Sequence, residues 1–374
     1  MTIRLKKLII REIKLTLREP FTISSGTMIQ RRILLLELFD AAGVSTWSEC
    51  VADNAPNYSP ETVDTARTII SKWIAPRLLG YEFEDPAAIQ REINRDIRGH
   101  NMAKAAVEMG CWSLEALHQG KPLADLLGGT QSKIVTGISI GIQANPAALV
   151  DRARAAFAEG YPKIKIKIKP GKDLAYLGAV REELGPGAQL MADANNAYTT
   201  ADFDHLCKID EFGLLMLEQP LDWEDVFRHA TLQKRMKTPI CLDESITGLD
   251  RAEDMIQLAA GKIINIKPGR VGGFCQSLAI HDLARTNGIP VWCGGMLESG
   301  IGRAYNVALA SLPNFTLPGD LSPSARYWKR DVVDPEWTMD AQGLVTVPRD
   351  QPGLGINPDR DFIEKLTVRT EIFK

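Results

Sequence analysis

Isoleucine and lysine alternate without a break over residues 163–169, KIKIKIK. Side chains in a strand point to opposite faces with a period of two, so the stretch predicts a strand with one isoleucine face and one lysine face. Taken alone, the lysine face reads as solvated, or as the guard of a sheet edge. The wider pattern argues otherwise. From Lys133 onward short apolar stretches recur as KIVTGISIG, KIKIKIK, QLMADAN, LLMLEQP, PICLDES, IINIKPG, PVWCGG and FTLPGD. Helical stretches such as NPAALVDRARAAFAEG and DRAEDMIQLAAG lie between them. Apolar strands separated by helices predict βα units and a parallel sheet. Eight such strands in roughly 190 residues predict a barrel of the (β/α)8 kind. The eighth runs straight into LSPSARYWKRD with no clear helix, which makes the expected form (β/α)7β, a modified TIM barrel in the α/β class.

The first part of the chain has a different texture. RILLLELFDAAGVSTWSEC predicts a hairpin turning at Asp40–Gly43. SPETVDTARTIISKWIAPRLLG predicts a helix with Ser59 as N-cap and Pro60 in its first position. NMAKAAVEMGCWSLEALHQG predicts another, ending at Gly120. The expected organisation is an α+β capping domain over 1–128, the catalytic barrel over 129–322, and a C-terminal segment, 323–374, that packs back on the capping domain and completes it.

Composition narrows the class of function. The 374 residues are 45% apolar and 24% charged with a net charge of −3, so no basic surface for nucleic acid or membrane is expected. No apolar run is long enough to span a bilayer. The N-terminal stretch MTIRLKKLIIREIKL carries charges throughout and predicts no signal peptide. The six cysteines show no CxxC spacing, which suits free thiols and a cytoplasmic location. The five histidines form no metal-binding pattern.

In such barrels chemistry sits at the C-terminal ends of the strands. Lys167, Asp193, Glu218, Asp243 and Lys267 stand at successive strand ends, at intervals of 26, 25, 25 and 24 residues. Strands two and six of an eight-membered ring lie opposite each other, so Lys167 and Lys267 are expected to face each other across the mouth. Asp193, Glu218 and Asp243 fill the arc between them. Three neighbouring carboxylates repel unless a cation neutralises them, and hard oxygen donors suit Mg²⁺ or Mn²⁺. Each residue has a plainer reading: an aspartate at a strand end is often a helix cap, and a lone lysine can snorkel. The joint pattern is what points to a site. Lys165 is expected to reach the mouth with Lys167. Lys163, near the strand's start, and Lys169, beyond its end and toward solvent, are given no role.

These segments resemble the enolase superfamily, in the muconate-lactonizing-enzyme subgroup, over the whole chain. The resemblance rests on KIK at Lys165–Lys167, DAN at Asp193–Asn195, EQP at Glu218–Pro220, DES at Asp243–Ser245 and NIKPGRVGG at Asn265–Gly273. Within the subgroup, PFTISSGT, GHNMAKAAVEM, PVWCGGMLESGIGR and LPGDLSPSARYW are similar to the N-succinylamino acid racemase and o-succinylbenzoate synthase family. The resemblance implies removal of a proton α to a carboxylate through an enediolate, stabilised by Mg²⁺ (or Mn²⁺) on Asp193, Glu218 and Asp243. It implies Lys167 and Lys267 as opposed acid/base groups, with Lys165 beside them. Asn195, Glu244 and Arg270 are expected to support these groups. Ser139, Gly295, Met296 and Leu297 are expected to touch substrate, with Phe21 and Tyr58 as cavity walls or ordinary interdomain packing. A lysine base must be neutral, so a depressed pKa is expected, from Lys165 or the metal at Lys167; Arg270 is expected to lower the pKa of Lys267 or to hold its surroundings in position, and a surface arginine is its plainer reading. The implied substrate is a small carboxylic acid and the implied assembly a homo-oligomer. A dedicated o-succinylbenzoate synthase is the alternative. A dipeptide epimerase is disfavoured because Asp320 stands alone where an Asp-x-Asp pair is expected. A muconate cycloisomerase shares nearly the same catalytic set, and only the pocket segments argue against it. No histidine at a strand end suits a mandelate-racemase-type base.

Overall fold

The computed structural model describes residues 2–374. Three antiparallel strands, β1 (Ile3–Ile23), β2 (Gly26–Asp40) and β3 (Ser45–Cys50), open the chain, and two-residue β4 (Glu82–Phe83) pairs with β1. The hairpin turns at residues 41–44, as the pattern predicts. Alternate residues Leu34, Leu36 and Leu38 of β2 pack with Val107, Cys111 and Leu114 of the helix Asn101–His118 in one apolar core.

The helix expected after Ser59 begins later. Thr62 is its N-cap, accepting from Thr65 N, and the helix proper starts at Val63. Ser59 Oγ instead accepts from Glu61 N. The Glu61 carboxylate is drawn away to cap the Asn101–His118 helix, accepting from Met102 N at 2.8 Å and Ala103 N at 3.1 Å. A tertiary partner thus decides the helix start over the local signal.

The segment KIVTGISIG is two strands rather than one. β5 (Lys133–Val135) pairs antiparallel with β13 (Leu344–Thr346). Only β6 (Ile138–Ile140) enters the parallel sheet. The break falls at Gly137, where a Cβ would lie 2.8 Å from Lys163 O and 2.4 Å from Lys163 Cε. The sheet then continues through β7 (Lys163–Lys167), β8 (Gln189–Asp193), β9 (Leu217–Glu218), β10 (Ile240–Leu242), β11 (Ile263–Ile266) and β12 (Val291–Cys293), seven parallel strands in sequence order. The expected eighth strand, FTLPGD, is reduced to single bridges. Phe315 meets Val291 on one side and Gly319 meets Thr136 on the other. Proline at 318 removes a ladder donor there, which limits regular pairing. A single helical turn, Ser324–Tyr327, follows.

The tail ends in β14 (Thr367–Phe373), which pairs antiparallel with β1 and lies at the sheet's edge. Two buried glutamates of the N-terminal part clamp it to the parallel sheet. Glu108 accepts from Phe274 N and Cys275 N at the start of the helix Phe274–Thr286. Glu49 accepts from Ser299 N, Ser299 Oγ and Gly302 N at the start of the helix Gly300–Ala310. Both meet free amide donors at a helix N-terminus, where a carboxylate is favoured. No helix of the described residues is long and apolar enough to cross a membrane.

Candidate active site

Strand register brings the charged residues together. Lys167 stands opposite Asp193, and Asp193 opposite Glu218. Cys241 is the partner of Glu218, so Asp243 stands just beyond, past the end of β10. Lys267 follows the last residue of β11. Asp193, Glu218 and Asp243 are fully buried, and Lys165 and Lys267 nearly so. The lysine face of KIKIKIK therefore points inward.

The carboxylates and cations interlock. Lys165 Nζ lies 2.8 Å from Asp193 Oδ2, 2.7 Å from Glu218 Oε2 and 2.9 Å from Asp320 Oδ2. Lys167 Nζ donates to Asp193 Oδ2 at 2.6 Å and to Asn195 Oδ1 at 2.8 Å. Across the site, Lys267 Nζ donates to Asp243 Oδ2 at 2.6 Å and to the Tyr58 hydroxyl at 3.1 Å. Arg270 is buried and donates to Asp243 Oδ1, to Ile246 O at 2.8 Å and to Asn265 O at 2.5 Å. It is no surface arginine, and it shares the Asp243 carboxylate with Lys267.

Burial and charge set the protonation. Burial alone would depress the Lys267 ammonium, but Asp243, with Tyr58 and Glu218 adding, holds it above the ordinary lysine value. The expected depression at Lys267 is therefore absent, because the carboxylate it touches outweighs Arg270 behind it. Lys165 behaves likewise: burial pulls it down, and Asp193, Asp320 and Glu218 raise it well above. Asp193 would rise on burial but is held low by Lys165 and Lys167. Glu218 goes the other way, pushed well above the carboxylate range by burial and by Asp193. Glu244, accepting from Asn195 Nδ2 at 3.1 Å and Asn196 Nδ2 at 3.2 Å, is raised to about 7 by burial and by Asp243.

Three acids so placed form a hard oxygen donor set. One ammonium draws two of them together, Lys165 Nζ lying 2.8 Å from Asp193 Oδ2 and 2.7 Å from Glu218 Oε2. Crowded carboxylate oxygens of this kind fit a small divalent cation. As they stand, each is closed by an ammonium or guanidinium group, and no ready ligand cluster exists among the described residues.

A cavity of about 400 Å³ opens over this cluster, lined by Lys167 and Lys267 together with Phe21, Tyr58, Met296 and Leu297. Gly295 and Asn195 line it too. Ser139 lies in an adjoining pocket with Lys165, Lys167 and Lys267. Tyr58 is more than a wall, since its hydroxyl bridges Lys267 and Asp243. Asn195, Gln219 and Leu297 hold left-handed backbone, with φ of 42°, 37° and 55°, the kind of strain that collects at functional sites.

Some participants were missed in the sequence. Lys163 is fully buried, 3.1 Å from Asp320 Oδ1 and 4.1 Å from the Trp292 ring centroid, so the expectation of no role gives way to a buried ion pair. Asn265 donates to Glu218 Oε1 at 2.7 Å and accepts from Gly294 N at 2.8 Å. Gln219 braces β9 to β10, accepting from Asp243 N and Ser245 N. The alternation of IINIKPG carries a signal for Asn265, two positions before Lys267 on the same face.

Gly294 allows this packing. A Cβ there would lie 2.5 Å from Asn265 Nδ2 and 2.6 Å from Lys267 Cε, so something must move. Gly294→Ala is expected to lower kcat at least tenfold by displacing Lys267, with the far-ultraviolet circular dichroism spectrum unchanged. An unaltered kcat would show that Lys267 is not so tightly placed.

The chain is similar to known proteins along nearly its whole length. Residues 148–362 match the family model described as enolase C-terminal domain-like, and residues 6–128 match the N-terminal domain model of mandelate racemase / muconate lactonizing enzyme. The chain is 46% identical to an o-succinylbenzoate synthase of Geobacillus stearothermophilus, over 100% of this chain and 98% of that one. It is 44% identical to an N-succinylamino acid racemase of an Amycolatopsis species, over 96% of each. An enolase-superfamily crystal structure from Listeria innocua superposes with a TM-score of 0.95 at 37% identity, covering 99% of both chains.

Proposed function

The chain belongs to the mandelate racemase / muconate lactonizing enzyme family of the enolase superfamily, and from this we propose that it is an N-succinylamino acid racemase with o-succinylbenzoate synthase activity. The observation that carries the reading is the pair Lys167 and Lys267, on one cavity, each hydrogen-bonded to a different carboxylate of the same cluster. A group on each side of a carbon can take a proton from one face and return one to the other, which is racemisation. The relatives' names divide between synthase and racemase at 46% and 44% identity, so both activities are assigned to this chain. In our reading the seven strands and the bridging segment after them work as a (β/α)7β barrel, with the site at its mouth.

We read Asp193, Glu218 and Asp243 as the residues that hold a divalent cation, Mg²⁺ by the hardness of the donors. When bound, it supplies the positive charge that stabilises an enediolate on a substrate carboxylate. Lys167 in its neutral amine form takes the α-proton of one enantiomer and becomes an ammonium, while the Lys267 ammonium delivers a proton to the opposite face and becomes the neutral amine. In the reverse direction the roles exchange. In the dehydration Lys167 serves as acid and base, while Lys267 remains a fixed positive charge. Asn195 and Tyr58 orient the two ammonium groups, and Phe21, Met296 and Leu297 limit water in the cavity.

Arg270 separates the two activities. It shares Asp243 with Lys267 and so weakens that carboxylate's hold on the ammonium. Without it, Lys267 stays charged more firmly, which suits a fixed charge and hinders a base. Arg270→Met is expected to lower racemisation about tenfold more than dehydration. Equal losses would remove this division. The direct test of the proposal is an assay of the purified, Mg²⁺-loaded protein with an N-succinylamino acid and with the synthase substrate. Turnover of both is expected. Turnover of the synthase substrate alone, with no α-proton exchange in the N-succinylamino acid, would reduce the reading to a dedicated synthase.

A further inference from the structure

Three of the four lysines on one face of residues 163–169 meet carboxylates: Lys163 at Asp320, Lys165 at Asp193, Lys167 at Asp193. Across the turn, Lys172 Nζ donates to Gln143 O at 2.8 Å. Lys169 differs. The residue is half-buried, and its side chain has no ion-pair or hydrogen-bond partner among the described residues. It lines a second cavity, of about 740 Å³, beside the first. Asn57, Tyr58 and Asn195 line both cavities, so the two adjoin at these residues.

The two cavities differ in chemistry. The first presents Phe21, Ile23, Met28 and Leu297 around the reacting lysines, and its one further cation among the described residues, Arg31, is already paired with Asp53 at 3.2 Å and bonded to Val51 O. The second is lined by Ser24, Ser25, Asn196, Trp223 and Lys169, with the Ser24 hydroxyl donating to Asn195 O and the Asn196 amide to Glu244. One carboxylate is present there, Asp222; it is exposed, accepts from Glu224 N at 2.9 Å, and makes no ion pair with Lys169. A substrate carbon held between Lys167 and Lys267 carries two further groups besides its carboxylate and proton. One is the amino-acid side chain, the other the acyl group.

We propose that the second cavity is the subsite for an anionic acyl group, with Lys169 as its counter-charge, and that the first cavity receives the apolar side chain. The assignment rests on the N-acylamino acid reading above. The reach agrees. Lys169 lies two residues beyond Lys167, roughly 6.6 Å further along the chain at a strand's rise. A four-carbon diacid amide extends roughly 6 Å from the reacting carbon to its distal carboxylate carbon at ordinary bond lengths. An ammonium without a protein partner gains a charge-assisted hydrogen bond from such a carboxylate and nothing comparable from a neutral acyl group.

The test compares two ligands that share one apolar amino acid and differ in the acyl group, N-succinyl and N-acetyl, on wild type, Lys169→Met and Lys172→Met loaded with Mg²⁺. KM for the succinyl substrate is expected to rise about tenfold in Lys169→Met, with kcat within about twofold and the acetyl substrate unaffected. Lys172→Met controls for general loss of positive charge and is expected to match wild type. Calorimetric binding of the same ligands gives the comparison without turnover. Equal succinyl affinity in wild type and Lys169→Met overturns the subsite, as does an equal loss for both ligands. Weakened succinyl binding in Lys169→Met by a protein that racemises neither ligand supports the subsite and overturns the racemase reading instead.

Discussion

Lys167→Ala is expected to lower kcat for racemisation by about a thousandfold, in the middle of the range for loss of a positioned acid/base group, and to lower dehydration by a similar factor. Lys267→Ala is expected to stop racemisation to the same degree. The geometry makes these losses chemical rather than structural. Without the Lys167 ammonium, Asp193 still meets Lys165 at 2.8 Å. Without Lys267, Asp243 still accepts from Tyr58 at 3.0 Å and from Arg270. Neither variant leaves a buried carboxylate alone, the condition that makes such deletions unfold proteins. Melting temperatures within a few degrees of wild type are the accompanying expectation. A variant that retains more than about a tenth of wild-type kcat would remove its lysine from the acid/base role.

The second large effect concerns the cation. Chelation is expected to abolish activity, and Mg²⁺ or Mn²⁺ to restore it. Glu218→Gln is expected to weaken Mg²⁺ binding at least about a hundredfold in a calorimetric titration, more than the loss of a residue that merely supports a ligand. The fold should survive. Asn265 Nδ2 can still donate to an amide oxygen at this position, and a neutral amide suits a place where burial and Asp193 already favour the uncharged carboxyl. The sign of the pH effect follows from the raised folded pKa. A carboxyl so raised favours the native state most below its unfolded value, near 4.5, and that contribution is lost as pH rises toward the folded value. Metal-free wild type should therefore lose stability relative to Glu218→Gln as pH rises above about 4.5. Full activity in metal-free protein, or a Glu218→Gln chain that fails to fold, would contradict the assignment.

The parts readable in the sequence were those that a period and an interval can carry. The inward lysines, the three acids and Lys267 recur at nearly equal spacing because each βα unit has nearly equal length, and the structure brings them to one cluster. Features set by contacts between distant segments were not readable. Ser59 had every local mark of an N-cap, but Glu61 is held by the helix at Asn101, and Thr62 takes the cap. The stretch KIVTGISIG looked like one strand because nothing local shows that Lys163 packs against Gly137. Lys163 itself was given no role because its partner, Asp320, lies 157 residues away. The pKa of Lys267 was misjudged for a related reason. Arg270 was visible three residues on, but the carboxylate between them belongs to another strand.

Enantiomer-resolved exchange in deuterated water tests the opposed-lysine account most directly. Each single variant, Lys167→Ala and Lys267→Ala, loaded with Mg²⁺, is incubated separately with the two enantiomers of an N-succinylamino acid, and α-proton exchange is followed by proton NMR. The account predicts that each variant exchanges one enantiomer only, the one whose α-proton faces the surviving lysine, and that the two variants choose opposite enantiomers. Exchange of both enantiomers at equal rates by either variant, or of the same enantiomer by both, would contradict it.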